Sequence, residues 1–159
     1  MTFKVNDRVV YPHHGAAVVE GKEVMEMFGE EKEFLVLRMT HGDLMLKVPS
    51  DKAEEIGMRY PISVEDVEDV FEVLAKKDVR EPTNWSRRFK NHQEKLKSGD
   101  VYQVAEVVRN LALREADKGL SAGEKSMFVK ARQVLVSELA FALDIDEDAA
   151  LDRLEKTLA

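Results

Sequence analysis

The chain has 159 residues, 24 Lys/Arg against 31 Asp/Glu for a formal charge of -7, 44% apolar residues and no cysteine. That length accommodates one domain or two small ones, and the missing thiols exclude disulfides and Cys-based zinc or redox chemistry. The first residues carry charge and no window approaches the roughly 20 apolar residues of a membrane span, so a soluble, cytoplasmic protein is expected.

The first 48 residues read as β. Arg8-Val-Val-Tyr11 is a short apolar strand stopped by Pro12 and Gly15. Residues 16–27 are rich in Val and Met, and Phe28-Gly29-Glu30-Glu31 supplies a turn. A clear strand follows over 34–39, and His41-Gly42-Asp43 turns it into 44–48. In this last strand Leu44, Leu46 and Val48 share one face and Met45 and Lys47 the other. Short strands with tight turns and no helix between them predict a small, curled antiparallel sheet or barrel, ended by Pro49.

From there the pattern is helical. Residues 49–55 form a brief helical turn before Gly57. Ser63-Val-Glu-Asp66 resembles a capping box, with Val64, Val67, Val70, Phe71 and Leu74 as one stripe. Thr83 or Asn84 caps a helix running to about Lys97. Ser98-Gly99-Asp100 recaps the chain ahead of a core face made by Val101, Val104, Ala105, Val108, Leu111 and Ala112, closed by Lys118-Gly119. Ser121-Ala-Gly-Glu124 is a full capping box, followed by Met127, Phe128, Ala131, Val134, Leu135 and Leu139. A terminal helix from about Asp146 carries Leu151, Leu154 and Leu158. The fold class is therefore α+β: an antiparallel β-barrel module over residues 1–50, a linker over 51–62 and an all-α helical module over 63–159.

Catalytic and metal signatures are weak. His13 and His14 are adjacent, so on a strand they would point to opposite faces, and His41 and His92 give no sign of the convergence that a zinc site needs. No phosphate-binding glycine loop or nucleophile elbow is present. The carboxylates lie in runs typical of solvated faces. A non-enzymatic protein without cofactor or metal is expected.

The charge distribution is more informative than its sum. Residues 1–75 hold 8 Lys/Arg and 16 Asp/Glu, residues 101–159 hold 8 and 11, and residues 76–100 hold 8 and 4. The segment 76–100, at +4, is thus a positive island, able to attract phosphate within about 8 Å at physiological salt. It contains the only tryptophan, in Glu81-Pro-Thr-Asn-Trp-Ser-Arg-Arg-Phe-Lys90. An apolar ring framed by cations in a helical first turn has the chemistry of a wedge on nucleic acid, because free backbone N–H groups there favour phosphate. The same residues also suit a Trp85 that plugs its own helix with Phe89, and residue types alone leave both open. In the β module, the strand 44–48 offers an edge for a partner strand, with Met25, Met27, Met45 and Lys47 as outward contacts. Methionines that fill the barrel interior are the alternative.

Three stretches, Lys4-Val-Asn-Asp-Arg-Val-Val-Tyr-Pro-His-His-Gly15, Glu81–Lys90 as quoted above and Gly119-Leu-Ser-Ala-Gly-Glu-Lys125, resemble the CarD/CdnL family of bacterial transcription regulators, most closely its actinobacterial branch. The resemblance spans the chain in order. The Val-Tyr-Pro stretch alone would be less specific, because the polymerase-interacting module of the repair-coupling translocase is similar there. The resemblance implies a Tudor-like N-terminal module bound to the RNA polymerase β subunit, through positions matching Met25, Met45 and Lys47. It also implies a helical module that meets promoter DNA; weak sequence dependence and a monomeric protein are expected. Trp85 would enter the minor groove at the upstream edge of the transcription bubble, with Arg87, Arg88 and Lys90 on the backbone, prolonging the open complex, notably at ribosomal RNA promoters. Relatives often carry a cation near position 25, where this chain has Met25. The alternative is a protein–protein adaptor with a structural Trp85.

Overall fold

The computed structural model describes residues 2–159. Four strands, β1 (Arg8–Tyr11), β2 (Gly15–Met27), β3 (Glu30–Met39) and β4 (Met45–Pro49), form one antiparallel sheet in the order β1-β2-β3-β4. The β2–β3 hairpin is longer than its apolar pattern predicts. Phe28 (φ 54°) and Gly29 (φ 80°) close it as a two-residue turn, so pairing continues to Met27↔Glu30. Such a turn matches the strand twist when both residues take positive φ. Pro49 lies within β4 opposite Phe34 rather than beyond the sheet. It is tolerable there because β4 is an edge strand.

Strand alternation separates two faces. On one, Val9, Ala17, Val19, Leu35, Leu37, Met39 and Val48 form a buried core with Phe3, Ala53 and Met58. Residues 51–62 thus contribute to the sheet module: they hold α1 (Ala53–Ile56), and Arg59 bridges to Val10 on β1. A curled half-barrel followed by helices is the α+β arrangement expected.

The helices are α2 (Val64–Ala75), α3 (Trp85–Lys97), α4 (Val101–Asp117), α5 (Ala122–Leu143) and α6 (Glu147–Leu158). Each of these five is capped by a side chain that the sequence points to. Ser63, Asn84, Asp100, Ser121 and Asp146 all accept a backbone N–H of the first turn, each contributing about 0.5–2 kcal/mol. Their apolar stripes meet in a second core built on Val104, Val108 and Leu111 of α4 and Ala131, Leu135 and Leu139 of α5, with Val67, Val70, Leu74 and Leu154 closing it. A buried Val or Leu here contributes about 1.5–3 kcal/mol relative to exposure. Val64, expected on the α2 stripe, is exposed because it lies in the first turn, outside the packed length.

The two cores meet along α5. Gly15 passes so close that a Cβ there would lie 2.9 Å from Ser137 Oγ, and the Ala16 N–H donates to that oxygen at 3.0 Å. Among the described residues, no helix is long and apolar enough to cross a membrane.

Candidate nucleic-acid interface

Asn84 ends the irregular 76–83 segment by accepting the Arg87 N–H at 3.0 Å, and this places Trp85 at the first position of α3. The ring is neither plugged nor loose. It is 44% exposed, stacks on Phe89 one turn later with centroids 4.9 Å apart and planes 14° apart, and faces Gly123 of α5. Its indole N–H points to Ser121 Oγ (3.2 Å) and Glu124 Oε1 (3.3 Å). The capping box of α5 therefore also anchors the indole. A ring held on one side by an aromatic and at its edge by hydrogen bonds presents its remaining surface in a fixed orientation.

Glu124 is the hub. It is 2% exposed and accepts from the Ser121 N–H and hydroxyl at 3.3 and 3.0 Å through Oε1. Its other oxygen, Oε2, accepts from Arg88 Nε at 3.4 Å, with Arg114 Nε 3.7 Å away. Burial pushes its carboxyl up, but the Ser121 hydrogen bonds and the Arg88 charge outweigh this and hold it below the usual carboxylate range.

The four cations and rings expected on the DNA side separate into two groups. Trp85, Arg87 and Lys90 face solvent. Arg88 does not: it is 2% exposed, paired with Glu124 and donating to the Pro82 and Thr83 carbonyls at 3.3 and 3.4 Å. It is not presented to solvent beside Arg87 and Lys90, where the expected DNA contacts would lie. A guanidinium among α3, α5 and the 82–83 carbonyls cannot reach a phosphate without abandoning a buried carboxylate. It holds the loop that delivers Trp85. Sequence periodicity missed this because Glu124 is 36 residues away. His92, also buried, pairs with Glu81 at 3.1 Å and secures the same loop.

On the sheet, Met25, Met45 and Lys47 share the face opposite the β core, together with Met27. All are exposed, and Lys47 pairs with Glu23 at 2.9 Å. Among the described residues, the outer edge of β4 carries no partner strand. Among the described residues, no group of three or more His, Asp or Glu is placed to hold a metal ion.

Comparison with known proteins places this arrangement. The profile of the CarD C-terminal domain matches residues 69–155, and that of the CarD-like/TRCF RID domain matches residues 3–61. The chain belongs to the CarD family. Among its CarD-family relatives, the YdeB protein of Bacillus subtilis strain 168, which carries the name of a transcription factor, is 30% identical over 145 residues, covering 91% of this chain and 95% of that protein. The solution structure of the 72-residue N-terminal domain of Myxococcus xanthus CarD is 34% identical, covering 37% of this chain and 79% of that one with a TM-score of 0.33. The CarD-family membership makes this a CarD-like transcription factor, and Trp85 lies within the matched C-terminal domain.

Proposed function

We propose that this protein is a non-enzymatic regulator that docks on the RNA polymerase β subunit through its sheet module and stabilises the open promoter complex through Trp85. The ring enters the minor groove at the upstream edge of the bubble, with Arg87 and Lys90 on the flanking phosphates. The observation that carries this reading is the state of Trp85: half exposed at a helix N-terminus, already fixed by Phe89, Ser121 and Glu124, and flanked by solvent-facing cations. An immobile ring loses little further freedom on binding. A wedge that fits only opened DNA binds that state preferentially, and only such differential affinity shifts the equilibrium. Stacking contributes about 1–3 kcal/mol per base, so one such contact lengthens open-complex lifetime by about 5- to 150-fold. Readout of sequence is slight because the minor-groove code is degenerate. The net charge of -7 weakens unaided DNA binding, and tethering to polymerase compensates for it.

The test is open-complex half-life on a ribosomal RNA promoter. Trp85→Ala is expected to abolish most of the lengthening while polymerase binding is retained. The hydrogen bonds to the indole N–H favour a second reading, an adaptor in which Trp85 serves only the fold. Unchanged half-lives with the variant would select that reading.

A further inference from the structure

We propose that the cationic face continues from Trp85 along the groove between α3 and α5 to a second phosphate-binding site at the seam of the two modules, formed by Lys97, Lys130, His13 and His14 and occupied by the DNA backbone. This rests on the DNA-binding reading above.

The two helices run in the same sense, meeting near their starts and lining one cavity further on. At their starts Trp85 meets Ser121, Gly123 and Glu124. At the end of α3, Leu96 lines one small cavity together with Val134 from the middle of α5 and with Pro12 and His13. On α3, Lys90, Gln93 and Lys97 are spaced three and four apart and share a strip. On α5, Gly123 touches Phe89, Lys130 lies seven residues later and Ser137, which touches the β1–β2 turn, seven later again. Lys130 therefore faces the groove from the α5 side. The seam itself is fixed: Gly15 abuts Ser137 and Pro12 abuts Gly99, so His13 and His14, with rings 5.7 Å apart, are carried to the end of the groove.

Among the described residues, Lys97 and Lys130 carry no ion pair, whereas Lys95 on the flank of α3 is paired with Glu106 at 2.8 Å. Both imidazoles are held below their ordinary range. For His13 burial is the first cause, followed by the charges of Lys130 and Lys97. For His14 burial again leads, followed by Lys130 and His13. The charges that act on them are thus all positive, in a chain of net -7. A phosphate is the ligand that relieves such a surplus, and the occupant is DNA because the site lies on the groove that begins at Trp85. Residues 85 to 97 span about 18 Å of helix, the length of about five base-pair steps.

The test uses the full chain and a labelled fork DNA, titrated at several salt concentrations with an upstream duplex arm of twelve or of three base pairs. With the long arm, the double variant K97Q/K130Q is expected to flatten the slope of log affinity against log salt by about 1.8, the loss of two phosphate contacts. With the short arm, which ends before the seam, the loss is expected to vanish. An unchanged slope, or equal losses on both arms, would overturn the site. His13→Asn keeps a residue that tolerates the positive φ there and is expected to weaken long-arm binding alone; no loss would overturn the imidazole contribution. Trp85→Ala in parallel keeps the two readings apart. Lost preference for the fork beside a neutral K97Q/K130Q sinks the seam site only. A neutral Trp85→Ala beside an effective K97Q/K130Q sinks the wedge and leaves the seam site standing.

Discussion

At the scale of residues, the position of Trp85 is a consequence of Glu124. A buried carboxylate that serves a helix cap, an indole N–H and a buried guanidinium is charged at neutral pH, and its loss is felt by all three. Because its pKa is depressed in the fold, the stability it contributes is fully present above the ordinary carboxylate range and is lost as pH falls through the lowered folded value. Glu124→Gln keeps the shape and an acceptor for the indole, but leaves Arg88 buried without a counter-charge. It is expected to cost about 3 kcal/mol at pH 7, measured by urea unfolding followed by the emission of the single tryptophan. As pH falls through the lowered folded value the difference from the parent protein should shrink, since the parent's side chain then becomes neutral as well. A difference that persists at low pH would mean that Glu124 acts through its shape and not its charge.

At the scale of elements, much was legible in the sequence, because caps and turns are local chemistry. Ser63, Asn84, Asp100, Ser121 and Asp146 announce five helix starts, and the stripes on α4 and α5 announce the larger core. What the sequence concealed was set at a distance. Arg88 turns inward because of Glu124, and β3 begins at Glu30 because a two-residue turn carries pairing past the last apolar position. Trp85 could be recognised as a candidate from its basic neighbours, but not its anchorage on Ser121 and Glu124. The edge strand β4 carries a prediction of its own. Lys47 lies on the solvent face beside Glu23, and a charge at an interface rim acts mainly on association rate. Lys47→Glu is expected to weaken binding to the polymerase β lobe by about tenfold at low salt and by less at high salt, where exposed charges are screened. Undiminished binding at low salt would move the contact to another edge of the sheet.

At the scale of the whole molecule, a wedge works only if the module that places it is firmly joined to the module that docks. The join is polar and specific. Arg59 donates to both carboxylate oxygens of Glu138 at 2.6 and 2.8 Å and to the Gly99 carbonyl at 3.2 and 2.9 Å, while Glu138 also accepts the Ile62 N–H at 3.0 Å. Burial would lower the Arg59 pKa, but the hydrogen bonds and charge of Glu138 raise it, so the guanidinium stays ionised. Arg8 with Asp144 and His41 beside Glu147 add contacts further along the same seam, and the exposed Arg8 pair contributes about 1 kcal/mol or less. Arg59 is therefore the residue whose loss should uncouple the modules. Arg59→Met keeps much of the side-chain bulk but strands Glu138, which is almost wholly buried, at an expected cost of about 3 kcal/mol. If the seam sets the reach of Trp85, this variant at a temperature where it remains folded should bind the polymerase β lobe and fork DNA separately as the parent does, yet lengthen open-complex lifetime far less. The two binding assays and the half-life, measured on one preparation, separate a misplaced wedge from a damaged one. A half-life that follows the parent would show that polymerase and DNA, and not Arg59, align the two modules.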